Sequence, residues 1–337
     1  MRFVHTADNH LDMPLGSLPP HKAAMRRDMR LSSFSRIIEY TRLNGDMLFI
    51  SGDLFDSPSP SPSILAFCRK EFEKLGDIPV FISLGNHDYK KTDFNFPGNV
   101  HVFPAHIQKI ECNGYSVTGA SFPSPSADFS QSIPLAEGET INILCIHGDI
   151  LTKSDYNPMN KDILASLGYD YIALGHIHNY TKHKQMAYPG CHDGAGFDEL
   201  GEKGFIFGEI DNEILKTSFI PSSSLIYSVE NIDITHFSSS SEIADAICRK
   251  FPDGIYRFNL TGTPCDGFIP NTDAIEAFIS QKFFYASITD STSSATDISD
   301  GMLYKLFEEY ITSHAEGDIA VLALRYGINA LKGDLDL

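Results

Sequence analysis

Tyr171-Ile-Ala-Leu-Gly175-His176-Ile-His178 is an apolar strand that stops at a glycine and then offers two histidines with one residue between them. Gly-His-x-His in that place is a metal-ligand pattern, since imidazole binds borderline divalent ions well. Four companions stand earlier in the chain: Asp8-Asn9-His10, Gly52-Asp53, Gly85-Asn86-His87-Asp88 and His147-Gly148. They follow the short hydrophobic runs MRFVHTA, MLFIS, IPVFISL and INILCI, as the histidine pair follows YDYIAL. Such runs read as strands. Five strands therefore each bring metal-type side chains to their C-terminal ends, and that convergence describes an active site.

Residues 1–220 alternate these strands with helical stretches, the pattern of an α/β domain. The first helix is expected over 22–43, with Met25, Met29, Phe34, Ile37 and Ile38 at near-helical spacing. Lys22, Arg26, Arg27, Arg30, Arg36 and Arg42 make it the most basic segment. They read either as a solvated face or as cations for phosphates near the Asp8/His10 loop. The Ser-Pro alternation over 57–63 excludes helix and central strand. It is expected as a loop, with a second helix over 64–75. A loop rich in Ser and Pro over 121–134 separates two strands and belongs on the rim of the site.

Composition shifts at Pro221-Ser-Ser-Ser224. Beyond it the pattern predicts strand 225–235, helix 241–250, strand 255–262, helix 271–281 and strand 283–289, a small α+β unit. The polar segment Thr289–Ser299 reads as a link. Residues 301–331 carry apolar positions that fit one or two amphipathic helices. These either pack on their own domain or offer a docking surface to another subunit.

At 337 residues the chain is long enough for two domains. Hydrophobic residues make up 42% of it, and no run approaches the roughly 20 apolar residues of a membrane span. The first residues enter a strand with no charged leader, so a cytoplasmic protein is expected. The six cysteines have no pair spacing and read as reduced thiols, with Cys145 in the core. The net charge of −18 is unusual for a nucleic-acid binder, which needs a basic footprint, bound cations or a partner.

Ions that hydrolyse phosphate esters take hard oxygen and borderline nitrogen donors: Asp, Asn, His and water. Asp8 and His10 are two apart, as are His176 and His178, so extended chain would turn each pair to one side. Asn86 and His87 are adjacent and point apart, which leaves Asn86 to ligate and His87 to act as an acid. Asp53 can bridge two ions with its two oxygens. Gly52, Gly85, Gly148 and Gly175 permit tight turns and close approach. His5, His21, His101, His106, His183, His192, His236 and His314 lack such context and read as surface or hydrogen-bonded histidines.

In order, spacing and residue type these motifs resemble the calcineurin-like metallophosphoesterases. Three further features are similar to the SbcD-type nucleases of DNA double-strand break repair. They are the opening His5-Thr-Ala-Asp8-Asn-His10-Leu, then Gly52-Asp53-Leu-Phe-Asp56 before a Ser/Pro loop, and Tyr188-Pro-Gly190 followed by Glu199 and Glu202-Lys203-Gly204. The resemblance implies an α/β fold: a four-layer αββα sandwich over 1–220, followed by a smaller α+β capping domain over 221–300 that guides DNA. It further implies a helical tail over 301–337 that docks an SbcC-like coiled-coil ATPase, and a homodimer. It puts one divalent ion on Asp8, His10, Asp53 and His178, and a second on Asp53, Asn86, His147 and His176. His87 would be the catalytic acid and Asp88 would hold or orient it, with Asp56 nearby in an open role. Manganese is the implied ion, while ligand chemistry also permits iron or zinc. The implied activity is 3′→5′ exonuclease and single-strand endonuclease. Cys191–Phe197 departs from the resemblance, having no basic residue where one is expected. Two other readings keep the same site: a phosphodiesterase or phosphatase for small molecules such as cyclic nucleotides, and a metal-bound scaffold.

Overall fold

The computed structural model describes residues 1–89, 94–112, 114–138, 140–152, 154–265 and 268–292, together with the backbone of 295–314, 319, 322–324 and 326; side chains are described there from 305 onward. The chain divides into two units, Met1–Ser228 and Val229–Leu337. The first holds β1 (Arg2–Thr6), α1 (Pro20–Asn44), β2 (Met47–Ser51), α2 (Pro62–Glu73), β3 (Val80–Ser83), β4 (Val100–Val102), β5 (Gln108–Cys112), β6 (Tyr115–Ala120), β7 (Ile141–His147), α3 (Lys161–Ala165), β8 (Tyr171–Gly175), β9 (Thr181–His183), β10 (Met186–Tyr188), β11 (Gly204–Asp211) and β12 (Ile214–Pro221).

These strands form two sheets, ordered β12-β11-β1-β2-β3-β4 and β5-β6-β7-β8-β10-β9. Strands β1 to β4, the last of them an edge, are parallel, as are β6, β7, β8 and β10. Antiparallel strands lie at the margins. Alternation along each strand explains the layering. Phe3, Phe49 and Phe81 meet Val117, Ile143, Tyr171 and Ala173 between the sheets. Val4, Leu48, Ile50 and Ile82 face Phe34, Ile37 and Ile38 of α1 and Cys68 and Phe72 of α2. Leu144, Ile146, Ile172 and Leu174 face Leu164 of α3 and the loop residues Phe129, Ile133 and Met159. Covering both faces of each sheet is what makes the strands continuously apolar. The result is the expected α/β sandwich, although loops supply most of the outer layer on the second sheet, because α3 is only 5 residues long.

The arginines of α1 divide: Arg42 lies on the solvated face, its side chain 44% exposed and paired with Glu39 at 2.6 Å, whereas two others are interior. Arg26 and Arg30 are 0% and 2% exposed. The Arg26 guanidinium makes a two-pronged ion pair with Asp193, one prong at 3.0 Å, and donates to Gly194 O. Arg30 donates to the backbone oxygens of Asp193 and Asn9, and Arg36 to Ser222 O. A buried carboxylate needs a partner, and this helix faces Asp193. The Ser/Pro stretch also differs from expectation at its end: Ser61 caps α2, accepting from Ile64 N, and Pro62 fits the first turn, where its missing N–H costs nothing.

β13 (Tyr227–Asp233) starts at the end of the first unit and runs into the second, which goes on with α4 (Ser240–Lys250), β14 (Ile255–Thr261), α5 (Thr272–Ile279), β15 (Tyr285–Asp290) and α6 (Ala295–His314). β13-β14-β15 form a sheet whose Phe258 and Leu260 pack on Ile243 and Ile247 of α4 and Ile275 and Ile279 of α5. The division falls later than Pro221 because the chain beyond it stays bound to α1: Arg26 donates to Leu225 O and lies over the Tyr227 ring at 5.9 Å. α6 begins inside the expected link Thr289–Ser299. Of the expected tail over 301–337, α6 continues to His314 and helix recurs at 319, 322–324 and 326; the remainder lies outside the described residues. No described helix is long and apolar enough to cross a membrane.

Candidate metal centre

The C-terminal ends of β1, β2 and β3 in one sheet and of β7 and β8 in the other lie side by side, and polar contacts pin them there. His147 Nδ1 donates to Ser51 O at 3.0 Å and Ser83 Oγ to Cys145 O at 2.6 Å. Buried His5 joins Tyr171 at 2.8 Å and Ser51 at 3.0 Å, so it is one of the hydrogen-bonded histidines. The loops then interlock: Asp8 N donates to Gly52 O, His10 N to Asp53 O, and Gly148 N to Gly175 O. The carboxylate of Asp8 accepts from His176 N at 3.0 and 3.1 Å. Asp53 Oδ1 accepts from His87 N at 2.9 Å.

Asp53 is the hub. Its Oδ2 stands 3.6 Å from His147 Nε2 and 3.8 Å from His10 Nε2. His178 Nε2 stands 3.8 Å from Asp8 Oδ1. These gaps are too long for hydrogen bonds. They suit donors that face one ion, since two ligands each about 2.0–2.2 Å from a cation stand roughly 3–4 Å apart. Ligating atoms of Asp8, His10 and His178 lie within 4.8 Å of one another, and so do those of Asp8, Asp53 and His147. Asn86 Oδ1 faces His147 Nε2 at 3.0 Å. In the neutral ring, with Nδ1 donating to Ser51 O, Nε2 would carry a lone pair, so that two acceptors confront each other where a cation would satisfy both. The His176 ring lies 5.3 Å from that of His147 and 5.0 Å from that of Tyr156. His10 is 2% exposed, yet neither ring nitrogen makes a well-aligned hydrogen bond, although Nδ1 is 3.1 Å from Asp56 Oδ1. Buried orphan nitrogens, hard oxygens and imidazoles at this spacing fit a pair of divalent ions.

The backbone reaches this arrangement by a route that parity does not describe. Asp8, His10, Asp53 and His176 have φ of 50°, 41°, 50° and 110°, so neither the Asp8/His10 nor the His176/His178 pair is plain extended chain. Left-handed conformations at non-glycine residues are costly and cluster at functional sites. Space is equally tight. A Cβ on Gly52, which has φ +97°, would enter the His147 ring, and one on Gly85 would strike the Asp53 carboxylate and approach His147 Cε1 to 2.9 Å.

His87 and Asp88 part company. The His87 side chain is 44% exposed, and its Nδ1 lies 3.3 Å from Asp56 Oδ1. That bond to Asp56, against partial burial, raises its pKa to about 9. Asp88, expected to orient His87, is 1% exposed and instead accepts from Gly85 N at 2.7 Å and Phe55 N at 3.2 Å. Burial and the nearby Asp53 charge push its carboxyl up to about 7. It ties the two ligand loops together, and Asp56 is what His87 leans on. Asp56 is in turn placed by Asp12, whose Oδ1 accepts from Asp56 N at 2.6 Å. Glu199, to which the sequence attaches no role, binds His178 Nδ1. An acidic residue after the Tyr-Pro-Gly turn was its one visible sign.

A model of the calcineurin-like phosphoesterase family matches residues 1–180, more than half of the 337-residue chain. The chain is 26% identical over 290 residues to the uncharacterized metallophosphoesterase YhaO of Bacillus subtilis, covering 78% of this chain and 70% of that protein. It is 28% identical over 195 residues to the DNA double-strand break repair protein Mre11 of Saccharolobus solfataricus, covering 53% of this chain and about half, 49%, of that protein. A shorter stretch, 94 residues at 34% identity, is similar to Mre11 of Methanococcus maripaludis and covers 27% of this chain and 24% of that protein.

Proposed function

The chain belongs to the calcineurin-like phosphoesterases, and on that premise we propose that it is a two-metal phosphodiesterase that cleaves DNA. One observation carries the hydrolytic part. Asp8, His10 and His147 gather around Asp53 at ion-sharing distances, and Asn86 and His178 join the cluster through His147 and Asp8. Asp8, His10, Asp53 and His178 would hold one ion and Asp53, Asn86, His147 and His176 the other. The ions would supply positive charge for the scissile phosphate and acidify the attacking water.

The protein's own side chains do the rest. His87 is the acid. Asp56 beside Nδ1 leaves Nε2 as the nitrogen that gives a proton to the leaving oxygen. Tyr156, beside His176, presents an aromatic face at the edge of the site, suited to a nucleobase. Similarity to two proteins named for DNA double-strand break repair supports DNA as substrate. In this reading residues 221–300 guide the DNA, 301–337 dock a coiled-coil ATPase, the physiological ion is manganese, cleavage runs 3′→5′ and the protein works in the cytoplasm.

The net charge of −18 favours a second reading, in which the same site acts on a small phosphodiester such as a cyclic nucleotide. A single comparison separates the two. The chain is supplied with manganese and given bis-p-nitrophenyl phosphate, cyclic nucleotides and end-labelled DNA at low and moderate salt. Cleavage of DNA that weakens with salt is the expected outcome. Turnover of cyclic nucleotides with DNA left intact would replace the nuclease reading, and hydrolysis of none of the three would remove both.

A further inference from the structure

We propose that Glu199 is a positioning residue for His178. Its carboxylate fixes the proton on Nδ1 and turns Nε2 toward Asp8. The inference rests on the metal-centre reading above and deepens it.

His178 is gripped at two points by the segment that follows β10. At its imidazole, Nδ1 donates to Glu199 Oε1. At its backbone, the carbonyl accepts from Lys203 Nζ at 3.0 Å and from Cys191 N at 3.3 Å. In the neutral ring a proton on Nδ1 leaves the lone pair on Nε2, the nitrogen 3.8 Å from Asp8 Oδ1. A carboxylate behind a histidine ligand sets its tautomer and its angle and raises its basicity.

The group of His178, Cys191 and Glu199 could itself be taken for a metal site, because their donor atoms lie within 4.8 Å of one another. The Glu199 carboxylate is already committed. Oε1 takes His178, while Oε2 accepts from Ala195 N at 2.6 Å and from the Cys191 thiol at 3.5 Å. A carboxylate filled by three protein donors is a bracket rather than a ligand.

The bracket is anchored in turn. Arg26 forks onto Asp193 and donates to Gly194 O, and Arg30 donates to Asp193 O, so α1 holds the turn that presents Glu199. Gly190, at φ +75°, brings the chain under His178; a Cβ there would lie 2.7 Å from His178 O. Glu199 and Lys203 are 7% and 3% exposed, so this support is built into the interior.

The test uses the full chain, stripped with a chelator and titrated with manganese by calorimetry. The variants are Glu199→Ala, Glu199→Gln and Cys191→Ser, and imidazole nitrogen shifts are recorded for each ion-free protein at alkaline pH, where the ring is neutral and its tautomer can be read. The wild-type chain is expected to take two ions. Glu199→Ala is expected to weaken one of them by about 10–100-fold, to leave the other unchanged and to move the His178 proton off Nδ1. Glu199→Gln, whose amide oxygen still accepts from Nδ1, is expected to recover most of the loss. Should Glu199→Ala not fold, Glu199→Leu, which fills the space but offers no acceptor, decides in its place: loss of the His178 proton from Nδ1 supports the proposal and its retention overturns it. Two full-affinity ions and an unchanged His178 tautomer in Glu199→Ala would overturn the proposal. So would a third ion lost in both Glu199→Ala and Cys191→Ser, since that would make Glu199 a ligand. A wild-type chain that binds no ion at all would sink the metal-centre reading itself, a result distinct from either of these.

Discussion

His87 and Asp56 form a pair at the mouth of the site, and the proposed chemistry can be tested on them without touching a ligand. His87→Gln is expected to keep both ions while hydrolysis of bis-p-nitrophenyl phosphate falls about 10²–10⁴-fold; wild-type turnover in that variant would take His87 out of the mechanism. Gly85→Ala probes the packing behind the ligands. Its Cβ has no room beside Asp53 and His147, so ion binding measured by calorimetry is expected to collapse while far-ultraviolet circular dichroism stays near wild type. Each expected ligand was legible because its residue type follows an apolar strand, and that information is local. Its supports were not. Asp56 was visible only as a residue of open role, and Glu199 reaches His178 across 21 positions of sequence. Asp8 and His10 both have positive φ, so the alternation of extended chain is not what turns their side chains. The resemblance implies that Asp88 orients His87, whereas its carboxylate is drawn to two buried backbone N–H groups.

Among the elements, α1 is the one whose sequence most disguises its job. A run of arginines in a helix is ordinarily a wet face, and nothing within the helix says otherwise. What buries Arg26 is Asp193, 167 positions further along the chain. Removing one member of such a pair strands a charge in the interior, which costs about 3–5 kcal/mol. Arg26→Met and Asp193→Leu should each lose that much in urea unfolding. The double change Arg26→Met with Asp193→Leu should be less harmful than the two losses added together, because no uncompensated charge remains. Additive losses would show that the pair is not coupled. The strands were far easier to read than this helix. Packing on both faces writes a continuous apolar code into β1, β2, β3, β7 and β8, and a code of that kind needs no distant partner to be understood.

Taken whole, the chain keeps every proposed ligand, and Glu199 with them, inside Met1–Ser228. A fragment ending at Ser228 is therefore expected to bind two divalent ions and to hydrolyse bis-p-nitrophenyl phosphate. Its cleavage of end-labelled DNA is expected to fall if the later residues guide the strand. Loss of ion binding in a folded fragment would contradict this division of labour. The order of elements over 225–290 was readable from turn residues and apolar spacing, but the place of division was not, because Leu225 and Tyr227 are tied to α1 by contacts that leave no local trace. The four left-handed backbone positions at Asp8, His10, Asp53 and His176 have one more consequence. Holding them bent draws on the stability of the surrounding loops, and a cation repays it only in the native state. Heat resistance should therefore report occupancy. At an ion concentration 100-fold above Kd, linkage adds about 2.7 kcal/mol per site, so the melting temperature of the stripped protein should climb with added manganese, even in a catalytically dead His87→Gln chain.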